Sequence, residues 1–141
     1  MRSKNKDNMR KLILALMLTL PLVGFSQEWA DDNKLDEVLN SSNAFGDDES
    51  TIVVIEYWAS FNEANAFPDW DKLQNVQYFR VDVAKAPKYK KEHRVRMAPT
   101  IFIILDGVVE KKYAAGLDLE CPVNLNELQE GIQEAQESSA F

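Results

Sequence analysis

The 141-residue chain sets 16 Lys and Arg against 23 Asp and Glu, a net charge of −7, which argues against nucleic acid as a partner because phosphate binding needs clustered cations. One cysteine, Cys121, and one histidine, His93, exclude an intrachain disulfide and the usual zinc site of three or four Cys and His ligands. No phosphate-binding glycine loop, Ser–His arrangement of legible spacing or internal repeat is present, so the sequence implies neither a cofactor nor a metal.

Arg2, Lys4, Lys6, Arg10 and Lys11 precede an apolar run from Leu12 to Phe25, and Gly24 and Ser26 place small residues at −3 and −1 of a cleavage site. Basic, then apolar, then small is the order of a secretory signal peptide. The run is short for a membrane span, which needs about 20 residues. Residues 1–26 are therefore expected to be removed, with Met1 or Met9 as the start, and an uncleaved anchor is the alternative. Residues 27–141 form one exported domain, periplasmic or extracellular, with no stable membrane span. Its net charge is −11, since five basic residues and one acidic residue leave with the signal.

Gln27 to Ala30 reads as a short first strand carrying Trp29. Asp31, Asp32 and Asn33 supply caps, and Leu35, Val38 and Leu39 recur at helical spacing, which predicts a helix over 33–43. Residues 46–50 are a polar loop. Thr51 to Trp58 is a β-branched, largely apolar run, the pattern of a strand buried on both faces. Phe61 to Leu73 reads as a helix interrupted at Pro68. Val76 to Val83 is a strand with Phe79, Val81 and Val83 on one side, and Lys85 to Arg94 a basic surface helix. Thr100 to Leu105 and Val108 to Ala114 pair across the hairpin signal Asp106-Gly107. Asn124 and Glu127 have capping-box spacing, Leu125, Leu128 and Ile132 share a helical face, and residues 137–141 are expected to fray. The order is βαβαβαββα, an α/β fold with a central mixed sheet and helices on both faces.

The run Glu56-Tyr57-Trp58-Ala59-Ser60-Phe61-Asn62-Glu63-Ala64-Asn65 resembles the active-site segment of thioredoxins, acid-aromatic-Trp-Ala-x-x-Cys-x-x-Cys. Met97-Ala98-Pro99-Thr100 resembles that family's cis-proline loop, Leu105 to Val108 its hairpin, and Ala115-Gly116-Leu117 the glycine after its last strand. From Val81 to Thr100 the match needs no gap, and the resemblance covers residues 29–135. It implies the thioredoxin-like fold. Two departures stand out: Asn62 and Asn65 occupy both cysteine positions, and the segment between Trp58 and the next strand is shorter than usual. Dithiol exchange needs a thiolate and a resolving thiol, and a carboxamide is neither, so an active disulfide oxidoreductase is not expected.

The resemblance places Glu56 at the family's buried acid, with Arg80 where a lysine often lies near it. It implies either a preserved proton-relay site or a structural buried ion pair, and without a thiol to serve the latter is favoured. Pro99 is expected to be cis. Ala98 would inherit backbone pairing with an extended peptide, in a groove made with Trp58, Phe61, Asn62, Thr100 and Gly116; Pro99 alternatively only shapes the loop. Asn62 and Asn65 are read first as caps of a helix start and second as peptide contacts. Trp58 equally suits core packing.

Cys121 is either a small buried hydrophobe or a lone reactive thiol. Lys85, Lys88, Lys90, Lys91, His93, Arg94 and Arg96 form a basic stretch, either a solvated face or a dock for an acidic partner. The leading reading is an exported thioredoxin-like module without dithiol chemistry that binds an unidentified protein or extended peptide. A single-thiol redox protein acting through Cys121 in thiol–disulfide homeostasis is the alternative, and a structural subunit with a covered groove the third.

Overall fold

A run of β-branched residues with both faces apolar has to lie inside a sheet, and Ile52–Trp58 does so as strand β2 of a computed structural model that describes residues 27–41 and 52–138. The described elements, in order, are β1 (Glu28–Trp29), helix α1 (Asp32–Ser41), β2, β3 (Gln77–Asp82), helix α2 (Pro87–Glu92), β4 (Thr100–Leu105), β5 (Val108–Ala114) and helix α3 (Leu125–Ser138). The strands lie in the order β1-β3-β2-β4-β5. β3 runs parallel to β1 and β2, whereas β4 is antiparallel to both β2 and β5. Crossovers produce the parallel pairs and the Asp106-Gly107 turn the final hairpin, so the mixed sheet follows from the connections.

The period of two along the strands builds two cores. Val53, Ile55 and Tyr57 of β2 face Leu35 and Leu39 of α1, Tyr89 of α2, and Phe79 and Phe102. Ile52 and Val54 face the opposite way, with Ile101 and Ile103 of β4, Phe67, and Leu128 and Ile132 of α3. Each large apolar side chain so buried contributes about 1.5–3 kcal/mol relative to exposure. α3 begins as its spacing predicts: the Glu127 N–H donates to Asn124 Oδ1 at 2.8 Å, and the Asn124 N–H donates to Glu127 Oε2 at 3.3 Å. Gly131 lets this helix press close to Tyr113 and Ile103.

Three local expectations need correction. Residues 61–73 are not a kinked helix; two short 3-10 turns, Ser60–Asn65 and Trp70–Lys72, replace it. The cause is the backbone of Phe67, whose N–H donates to Glu56 Oε2 at 2.9 Å and whose carbonyl accepts from Arg80 at 3.1 Å. With both groups engaged across the core, neither is free for a helical ladder. The basic helix is shorter than 85–94, and α3 continues to Ser138, beyond the point where fraying is expected. The expected signal segment 1–26, the expected polar loop 46–50 and the last three residues lie outside the described residues.

Candidate functional site

The sheet register brings three connections to one end. Tyr57 near the end of β2 pairs with Thr100 at the start of β4, and Thr100 pairs with Ala114 at the end of β5. The turn after β2, the loop before β4 and the loop after β5 therefore meet at one tip. The Ala98–Pro99 peptide bond there is cis.

Asn62 joins all three connections. Its Nδ2 donates to the Ala98 carbonyl at 2.9 Å and to the Leu119 carbonyl at 2.8 Å, while its Oδ1 accepts from Asn65 Nδ2 at 2.7 Å. Both amide hydrogens and one acceptor site are thus in use, all within a half-buried setting. The capping expectation is corrected here, because neither asparagine caps its own turn, which has no side-chain cap. Asn62 itself has non-helical backbone (φ −122°), which turns its side chain across the tip rather than along the helix axis.

The remaining residues of the expected groove scatter. Ala98, Pro99 and Thr100 are buried, and the Thr100 hydroxyl donates to the Met97 carbonyl at 2.5 Å. The Pro99 carbonyl accepts from the Ala115 N–H, and Gly116 closes a turn by accepting from Leu119. Trp58 packs edge-on against Trp29 with ring centres 5.0 Å apart, lining a separate cleft with Ala30, Asp31 and Asp82. Phe61 stands 76 % exposed beside Asn62, and Leu117 is 98 % exposed on the loop that Asn62 fastens. Leu119 escaped the sequence reading, and Leu117 entered it only as the residue after Gly116. Leu119 adopts φ 58°, a left-handed conformation that a leucine does not announce.

Beneath the tip, Glu56 is fully buried and accepts from Arg80 Nε at 2.9 Å, from the Phe67 N–H and from the Tyr78 hydroxyl. Burial and the Glu56 charge push the Tyr78 hydroxyl far above the ordinary tyrosine range. Tyr78 was also missed, although it lies two residues from Arg80 and so on the same face of β3. Three donors engage the carboxylate, an arrangement suited to holding a charge in the core rather than passing protons to a thiol.

Cys121 sits half-buried at the edge of the second core, its Sγ donating to the Val123 carbonyl at 3.3 Å. Burial, with the Glu56 charge as a smaller contribution, raises its thiol pKa against the lowering effect of that hydrogen bond. The basic stretch divides. Lys88 bonds Asp36 at 2.6 Å, and His93 is no surface group: its Nδ1 lies 2.6 Å from the Tyr57 hydroxyl, and its ring packs on Phe102 and Tyr89. Burial lowers the His93 pKa. Among the described residues no group of His, Cys, Asp and Glu is arranged to hold a metal ion, and no helix is long and apolar enough to cross a membrane.

No protein-family model and no curated protein matches this sequence. Solved structures do resemble it. Spinach chloroplast thioredoxin f (long form) is 18 % identical over 81 % of this chain and 89 % of its own, with a TM-score of 0.60. Schistosoma mansoni thioredoxin is 15 % identical over 78 % and 95 %, with a TM-score of 0.59. A mutant thioredoxin from Halobacterium salinarum is 14 % identical over 79 % and 91 %, with a TM-score of 0.58. The fold is thioredoxin-like, and the chain carries a single cysteine.

Proposed function

We propose that this chain is an exported thioredoxin-like module that binds a protein or extended peptide at its tip and performs no dithiol chemistry. The observation that carries the reading is the bridging amide of Asn62, at the position of the first thiol. It ties the turn after β2 to the loops before β4 and after β5, where a redox pair would need freedom to exchange partners. The bridge also occupies the Ala98 carbonyl, so recognition by strand-like pairing to Ala98 loses one acceptor. What the tip offers instead is apolar: Phe61 and Leu117 project from two loops that the same amide holds together. Export is supported by the basic, apolar and small-residue order of residues 1–26.

The rival, a redox protein using Cys121 alone, is poorly supported by a half-buried thiol whose pKa is raised and whose hydrogen is engaged. Photocrosslinking tests the binding reading. A photoreactive residue at position 61 should capture a discrete partner from the exported fraction of the native host, and one at exposed Glu130 on α3 should not. Equal capture at both positions, or none at 61, contradicts it.

A further inference from the structure

We propose that the groove beside the tip, bordered by Lys90, Lys91, Arg94 and Arg96, receives an extended acidic segment of a partner polypeptide. The groove measures about 600 Å³ and has an apolar floor that includes Val83 and Val95, with no carboxylate in its lining. None of its four cations forms an ion pair among the described residues, whereas Lys34, Lys72, Arg80, Lys88 and Lys111 each hold a carboxylate. In a chain of net charge −7, a face with four unneutralised cations directs an anionic partner to itself, because the rest of the surface repels it.

Arg94 supplies an independent argument. It ends α2 in a left-handed conformation, φ 53°, with its N–H donating to the Lys91 carbonyl and the next N–H, of Val95, to the Lys90 carbonyl. Glycine ordinarily fills that position, since it alone is unstrained there. Lys112 Nζ reaches the Arg94 carbonyl at 3.3 Å and holds the turn. An arginine at this turn gives up backbone ease and sets a guanidinium on the rim of the groove.

The shape selects the ligand class. All four cations are solvent-exposed and the groove is open, which suits an elongated segment better than a small anion needing enclosure. Apolar floor and cationic rim match a polypeptide alternating carboxylates with apolar side chains, a pattern that a phosphodiester chain lacks. Arg96, on the rim, lies two residues before Ala98 in the chain.

This inference rests on the binding reading above and names its partner. The test is fluorescence anisotropy of the full chain with a fluorescein-labelled peptide of about 12 alternating Glu and Val residues. Saturable binding is expected, weakening about tenfold as salt rises from about 50 to about 300 mM, with little binding of the Gln/Val counterpart. Lys90→Glu combined with Arg96→Glu should weaken binding at least about tenfold. Arg94→Gly should weaken it several-fold while leaving the thermal midpoint equal or higher; a lower midpoint with unchanged binding would make Arg94 merely structural and overturn its role. Equal binding by the charge-reversed variant, no binding of the Glu/Val peptide, or tighter binding to oligo(dT) or phosphatidylglycerol vesicles each overturns the proposal. Should the charge-reversed variant still crosslink at position 61, the module reading stands while this inference falls.

Discussion

The side-chain amide of Asn62 donates one hydrogen to the carbonyl of Ala98 and the other to the carbonyl of Leu119, fastening together loops 36 and 57 residues away. Replacing Asn62 by Ala strands two half-buried carbonyls and should lower stability by about 1–3 kcal/mol in urea unfolding. Asn62→Asp should cost more at neutral pH, because its carboxylate oxygens then face two carbonyl oxygens. If both substitutions are silent, the bridge does not hold the tip.

The ion pair under the tip answers to a different rule. Removing Arg80 alone, as Arg80→Met, leaves Glu56 charged inside the core and should cost about 3–5 kcal/mol. Glu56→Leu with Arg80→Met should be less destabilising than Arg80→Met alone, since no uncompensated charge remains. A double-mutant cycle measures this, and strict additivity would show the pair to be uncoupled.

Much of this architecture is legible in the residues themselves. The β-branched runs of β2 and β4, the Asp106-Gly107 hairpin and the reciprocal Asn124–Glu127 cap express local rules, and local rules prevail where nothing distant competes. The segment after Trp58 defies such reading because Phe67 spends its backbone groups on Glu56 and Arg80, partners 11 and 13 residues away. His93 looks like one more basic surface group by its neighbours, yet the turn of α2 rolls it onto Phe102. The bridge from Asn62 to Leu119 leaves no trace in sequence, for its acceptor is a backbone carbonyl in a left-handed leucine.

Half-buried His93 gives an acid-side pH dependence. Its pKa in the fold lies below the ordinary 6.5, so the unfolded chain takes up a proton first as pH falls. The stability it contributes is whole above pH of about 6.5 and is lost as pH drops through the folded value. The difference in unfolding free energy between wild type and His93→Phe should therefore shift against the wild type between about pH 7 and pH 5. A pH-independent difference would contradict a neutral, half-buried imidazole.

Tyr78 acts at the alkaline end with the opposite sign. Its pKa in the fold is raised by burial and by Glu56, so stability declines as pH climbs above about 10, where the unfolded phenol ionises. Tyr78→Phe should be less stable than wild type at neutral pH and show a shallower alkaline loss. Parallel alkaline curves would remove Tyr78 as a source of that loss.

The proposal that the tip carries a fixed amide bridge in place of dithiol chemistry is decided by the disulfide reduction of insulin by the full chain, with dithiothreitol as electron source. The expected rate is no faster than that of dithiothreitol alone and identical for wild type and Cys121→Ser. Catalysed reduction that persists in Cys121→Ser would contradict the claim outright, and catalysis that vanishes with Cys121 would hand the function to that thiol.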